Sequence, residues 1–384
     1  MPHVTERKSN FELMRIVAML MIVAHHLAVH GVQQLSFPDN AYRAWAAGTM
    51  VNRLFTLLFI PGGAIGVALF FMLTGYFLAG KQRASVSKVC LQTVFYGFVV
   101  SAVFVILVVI QKLFGIGYAF SGFSLTEKIG LLLHYVFMPI SSGWWFVSAY
   151  VLLVLTAPRI NQFLAALNKA GFIRLLAVTW FFWYSCQLML DGAYVSLGRA
   201  FFFYILGAYC RRFVDCRQEK PQVRHIALFI FCWLMIAICA FYSATLGKLS
   251  VKTATAMQAL AKCVQSGLEN CILLPLCAWS LFVCFARTNV KQNHRINTVA
   301  ATTFGVYLLH DSGITRQLIW NGILRVSDAQ FLSPYFPLFA LADILAVFAV
   351  CSAIDYLRLR FVEPKMLAWA EQRIARAKEK YFLS

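Results

Sequence analysis

An arginine and three histidines lie inside one apolar stretch near the start of the chain. Phe11 to Gly31, FELMRIVAMLMIVAHHLAVHG, carries Arg15 early and His25, His26 and His30 later. Arg15 and His26 are eleven positions apart. At about 100° per residue they return to within about 20° of one helical face, roughly 16 Å apart along the axis. Glu12, Met19, Ile22 and His30 lie on or near the same stripe. A guanidinium offers a planar fork to phosphate. An imidazole, with an unperturbed pKa of about 6.5, suits general-base work near neutral pH. A helix with such a stripe points it at protein or a cavity, not at lipid.

A second group of ionisable residues falls in later apolar segments. TTFGVYLLHDSG (Thr302 to Gly313) holds Tyr307, His310 and Asp311. Asp343 lies in the following apolar run, and Arg199 and Glu269 lie near the ends of two others. Each also has a plain structural reading. His25, about 100° from His26, can bond a neighbouring helix. Glu12 and Arg15 form an i,i+3 pair at a helix start. Arg199 and Glu269 can snorkel to an interface, and Asp311 and Asp343 can serve as counter-ions. His26 and His30 have metal-ligand spacing, but no carboxylate or cysteine joins them in sequence, so no metal is expected. Trp144 and Trp145 read as belt aromatics at a membrane edge, with a sugar-stacking platform as the alternative.

The elements that position these residues follow from composition. Of 384 residues, 61% are hydrophobic and 13% charged. That balance excludes an ordinary soluble domain and fits an all-α, polytopic membrane protein built as a single bundle. Apolar runs around residues 11–30, 54–79, 89–111, 144–158, 172–190, 197–213, 225–246, 268–286, 298–320 and 336–357 predict about ten spans. Pro61-Gly62-Gly63 predicts a broken second span with a clean helix over 64–79. The run Leu131 to Ile140 is too short to cross and is expected to lie at an interface or re-enter. The eleven cysteines form no CxxC pair and read as small buried hydrophobes.

The net charge of +19 sits in short loops between apolar runs, the pattern of anionic lipid and positive-inside bias rather than nucleic-acid binding. Alternate loops are rich and poor in Lys and Arg, which predicts both termini in the cytoplasm. Residues 1–362 read as the transmembrane domain and 363–384 as a basic cytoplasmic tail lying on the membrane surface. GxSxG, P-loop and dinucleotide-binding patterns are absent from the sequence.

Five motifs in order resemble the acyltransferase-3 membrane proteins that O-acylate bacterial sugars. Arg15 and His26 match their Arg-x10-His signature, with Glu12 in the acidic position upstream. GVALFFMLTGYFL (Gly66 to Leu78) is similar to their second-helix pattern, with Thr74 in place of a serine. GWWFVSAYVLLVLTAPRI (Gly143 to Ile160), FGVYLLH (Phe304 to His310) and FVEPKML (Phe361 to Leu367) match their later motifs. The family's R-x-x-R after the second helix is replaced by KQRASVSK, which offers Lys81, Arg83 and Lys88.

The resemblance implies a multi-pass protein of the bacterial cytoplasmic membrane. It implies acyl-CoA, acetyl-CoA above all, as cytoplasmic co-substrate, with no resident cofactor, and a carbohydrate hydroxyl as acceptor. Arg15 and the basic group Lys81, Arg83 and Lys88 would face the CoA phosphates. His26 would take the hydroxyl proton or be transiently acylated. Tyr307 or His310 would steady the thioester oxyanion. The competing readings are a transporter or flippase for a glycan or small solute, using the same intramembrane charges, and a non-catalytic partner in polysaccharide synthesis.

Overall fold

The computed structural model describes residues 8–33, 45, 47–82, 84–115, 122–189, 193–214, 223–246 and 272–382. Among these the chain is helical throughout, with no strand. Helix α1 (Ser9–His26) continues into a widened turn of π type, Leu27–Val32. Then come α2 (Met50–Leu57), α3 (Ile60–Leu78), α4 (Ser87–Phe114), α5 (Leu125–Phe137), α6 (Trp145–Ala165), α7 (Lys169–Met189), α8 (Ala193–Phe213) and α9 (Val223–Leu246). After the undescribed segment come α10 (Leu274–Arg287), α11 (His294–His310), α12 (Gly313–Gln317), α13 (Phe336–Leu357) and α14 (Glu363–Phe382).

Among the described residues, six stretches are long and apolar enough to cross a membrane: Ser9–Val32, Met50–Leu78, Ser87–Phe114, Trp145–Ala165, Val223–Ala240 and Phe336–Arg373. Helices also occupy the other predicted runs, as α7, α8, α10 and α11, but they are not among these six.

The second and ninth predicted spans differ in detail from the expectation. The break in the second lies before Pro61, at Leu58 and Phe59, and Pro61 sits in the first turn of α3. There its missing N–H has no helical partner to lose. The two glycines that follow are helical because they lie against α1. A Cβ at Gly62 would come 2.6 Å from the Met21 carbonyl oxygen, and one at Gly66 2.6 Å from that of Ala18. At Gly63 it would strike the His25 ring. The opposite side of α3 meets α8 as closely. A Cβ at Gly75 would overlap the Tyr204 backbone, and one at Gly207 the Met72 backbone. Helix α3 is thus gripped between α1 and α8 at backbone contact.

The ninth run, 298–320, is not one helix. α11 ends at His310, and Asp311 leaves the helical region (φ −115°, ψ 24°). Ser312 then caps α12 by accepting from the Thr315 N–H at 3.0 Å. The Leu131 to Ile140 run falls in α5 and a π-type turn, Pro139–Gly143, folded against α4 and α6. Ser124 and Glu127 form a reciprocal cap at the start of α5. Trp144 is only 2% exposed and so packs in the core rather than facing a membrane edge, whereas Trp145 is 45% exposed.

Helix directions give the bundle two unlike ends. α1 and α3 are antiparallel, so Arg15, Gly80 and the start of α4 share one end. His26, the start of α6 and the end of α11 share the other. Many of the described basic residues lie at the Arg15 end, among them Lys8, Lys81, Lys88, Arg211, Arg212, Arg287, Arg295 and Arg358, while Arg199 and Arg316 stand at the other.

Candidate functional site

The polar stripe of α1 lines two adjoining cavities. The first, about 270 Å³, is bordered by Arg15, Met19, Thr74, Lys88, Gln92 and Tyr150. The second, about 710 Å³, is bordered by His25, His26, His30, Arg199, Asp311 and Arg316. Ile22, Val67 and Tyr307 border both, so the boundary between them is one side chain thick. Arg15 and His26 are eleven positions apart on one unbroken helix, and the single stripe read from the sequence therefore enters both chambers.

A proton chain fixes the tautomer of His26. His310 Nδ1 lies 2.6 Å from the Val306 carbonyl oxygen, which can only accept. His310 therefore carries its proton on Nδ1 and, as a neutral ring, offers a lone pair at Nε2. His26 Nδ1 is 2.8 Å from that Nε2 and donates to it. This leaves the His26 Nε2 lone pair outside the chain. His26 is 12% exposed, at the wall of the second cavity.

Asp311 stands beside this pair. Its Oδ1 is 3.6 Å from His26 Nδ1 and 3.9 Å from His30 Nε2. Arg316 grips the same oxygen, with Nη2 at 2.8 Å and Nε at 3.1 Å. The break at Asp311 and Ser312 turns Arg316 back onto Asp311. Tyr135 holds the turn from α5 by accepting the Gly313 N–H at 2.5 Å. Two arginines and one aspartate face the second cavity among the described residues, so its wall is net positive with the histidines neutral.

His26, His30 and Asp311 bring ligand atoms within 4.8 Å of one another. Asp311 is the carboxylate that sequence spacing does not supply. The guanidinium of Arg316 already occupies its Oδ1, so the charge there is matched without a cation.

The other residues singled out by the sequence fall in varied places. His25 donates to the Ile60 carbonyl at 2.8 Å, joining α1 to α3. Glu12 is buried, with an oxygen 3.9 Å from Arg15. Tyr307 is buried beside the Phe146 backbone, and its hydroxyl makes no hydrogen bond of normal geometry. Arg199, on α8, borders the second cavity. Lys88 borders the first cavity but is already paired, its Nζ 2.5 Å from Glu363. Lys81 is exposed and borders neither of these two cavities. Asp343 is buried on α13 and also borders neither. Arg83 and Glu269 lie outside the described residues.

Sequence reasoning missed Arg316 and Tyr135. It also missed a buried network at the Arg15 end. There Asp355 accepts from Tyr96 at 2.6 Å, Gln92 at 3.2 Å and Arg358 at 2.6 Å, and Arg358 also reaches Glu363 at 2.7 Å. The Ser312-x-x-Thr315 cap was a local signal for the break that swings Arg316 inward. Asp355 with Arg358, charged at i,i+3 beside an apolar run, was a signal for the network.

Searches of characterised proteins and of solved structures found no match to this chain. A family model describing an acyltransferase domain matches residues 8–355, nearly the whole length. With that match spanning the helical bundle and both chambers, the chain belongs to the acyltransferase 3 family of membrane acyltransferases.

Proposed function

We propose that the protein moves an acyl group, acetyl above all, from acyl-CoA to a hydroxyl of a cell-surface or lipid-linked sugar. The observation that carries this reading is the His26–His310–Val306 chain, which leaves His26 Nε2 as a base one side chain away from the arginine-bearing cavity. The donor thioester enters along the first cavity past Arg15. The acceptor sugar occupies the second, whose volume lies within the usual range for small-molecule sites. His26 Nε2 takes the hydroxyl proton as the oxygen attacks the thioester carbon. The C–S bond then breaks, and the thiolate leaves with that proton as free thiol. His310 and Asp311 steady the imidazolium formed between these steps. The Tyr307 hydroxyl, between the two cavities and beside the Phe146 backbone, donates to the carbonyl oxygen as charge develops on it.

The basic Arg15 end faces the cytoplasm in this reading, with both termini there and about ten crossings of the bacterial cytoplasmic membrane. CoA then arrives from inside and the sugar from the histidine end. The test is acyl transfer from radiolabelled acetyl-CoA to endogenous glycan in membrane vesicles, with mass spectrometry of the surface glycan from cells with and without the protein. Loss of an acetyl mass increment in cells lacking the protein supports the reading. An unchanged glycan, together with no CoA release in vesicles, overturns it.

A further inference from the structure

A third cavity, about 380 Å³, lies at the Arg15 end between α3, α6, α7 and α8. It is bordered by Gly80, Asn161, Arg211 and Arg212, and no acidic residue borders it among the described residues. We infer that this cavity is a binding site for the phosphates of a nucleotide, the end of the donor remote from its thioester. This deepens the acyl-CoA reading above and rests on it.

The cavity is built as an anion site. Arg211 is exposed, stacks 5.2 Å over the Tyr76 ring and pairs with no carboxylate among the described residues. Arg212 is held by Phe172 and Phe213, and its bonds to the Leu164 and Ala165 carbonyls both leave from Nη1. One nitrogen of that fork thus quiets the negative end of α6, while the guanidinium keeps its charge on the cavity wall. The turn after α3 is fixed: Asn161 Nδ2 donates to the Leu78 and Lys81 carbonyls at 2.7 and 3.0 Å, and Tyr204 donates to Asn161 Oδ1 at 2.8 Å. Gly80 sits there with φ +78°, and nothing lies within 4 Å of where a Cβ would be. Backbone is therefore open to close approach beside two guanidiniums.

Its position relative to the first cavity selects a long ligand. Phe146 and Tyr150 of α6 border the first cavity, and Asn161 and Leu164 border the third. Tyr150 and Asn161 are eleven positions apart on α6, roughly 16 Å along its axis, with Pro158 in the helix between them. Helix α6 thus carries lining residues of both the thioester chamber and the arginine cavity. Of the two cations on the first cavity, Lys88 is already engaged by Glu363 and Arg15 has Glu12 at 3.9 Å.

The experiment uses the full-length protein in nanodiscs of zwitterionic lipid, with adenosine 3′,5′-bisphosphate as probe. Arg211 is exposed, so Arg211→Gln should fold. The expected result is calorimetric binding of the bisphosphate, none of adenosine, and a loss of about tenfold or more in Arg211→Gln. In acyl transfer the same variant should raise the KM for acetyl-CoA but not for acetyl-pantetheine, which lacks the nucleotide. Equal bisphosphate binding by Arg211→Gln, with the loss appearing in Lys88→Gln, overturns the site. So does competition by phosphatidylglycerol nanodiscs without any nucleotide binding, which would assign the pocket to a lipid headgroup. If the bisphosphate binds through Arg211 but acyl-CoA is never consumed, the nucleotide site stands and the acyltransfer reading falls.

Discussion

Replacing His310 by alanine isolates what the second histidine contributes to the first. His310 accepts the His26 Nδ1–H at 2.8 Å and is fully buried. In the proposed reaction His26 becomes an imidazolium, so that bond turns from neutral to charge-assisted as the barrier is climbed. A hydrogen bond to a charged group contributes about 1.5–3 kcal/mol, or about 10- to 150-fold in rate at 1.4 kcal/mol per tenfold. The loss should fall near the lower end. Asp311 Oδ1 waits 3.6 Å from the same nitrogen and can accept in place of His310. His26→Ala removes the base itself and should cost on the order of 10²- to 10⁴-fold. Because the two rings act as one chain, the double variant should be no slower than His26→Ala alone. Thiol release from acetyl-CoA in proteoliposomes gives the rates, and thermal melting of each variant confirms folding. Losses that multiply in the double variant would refute the proton chain. A His310→Ala variant as slow as His26→Ala would show that His310 touches the reactants directly.

Arg15→Lys should raise the apparent KM for acyl-CoA with little change for the sugar, since lysine keeps the charge but loses the fork; an unchanged donor KM removes Arg15 from the donor path. Arg316→Gln leaves the Asp311 carboxylate unmatched in a buried turn and should lower stability by about 1–3 kcal/mol, the range being modest because Arg316 is one-quarter exposed. Asp311→Asn in the same chain should recover part of that loss in a melting experiment. Tyr135→Phe strands the Gly313 N–H and should lower stability by about 1–3 kcal/mol, the cost of an unmade bond; an unchanged melting temperature would show the turn to be held otherwise. In intact cells, a cysteine at position 333 should react with an impermeant thiol reagent and one at 289 should not, and the reverse pattern would invert the proposed sidedness.

The α1 stripe was legible because helical period is a local property of the chain. Arg15, Met19, Ile22, His26 and His30 could be placed on one face without knowing what they face, and all five line the cavities. The His26–His310 bond joins residues 284 positions apart, and sequence could give only their similar depth. Pro61-Gly62-Gly63 was misread because glycine marks either a break or a close approach, and the choice depends on the neighbouring helix. Arg316 was overlooked because the ninth apolar run was taken as continuous. The Ser312 cap ends α11 where hydropathy alone would carry it on. Trp144 was assigned to a membrane edge from its place at a helix start, whereas the folded α5 hairpin covers it.

The glycines of α3 make that helix a fixed axle. On one side Gly62 and Gly66 meet carbonyl oxygens of α1, and on the other Gly75 and Gly207 interlock α3 with α8. A helix seated this closely on both neighbours can neither roll nor slide without driving backbone into backbone. The walls that carry His26 and Arg199 therefore move as one solid with those that carry Arg15 and Arg211. Rocking α1, α3 and α8 against one another has no seam to run along. The same rigidity turns the spacing between the basic end and the base into a ruler. A donor whose arm is shorter or longer than that spacing will present its carbonyl out of reach of His26, however tightly its anionic end is held. Spin labels on α1 and α8 should report one distance, with and without donor, while thioesters on shortened or lengthened arms lose kcat rather than binding.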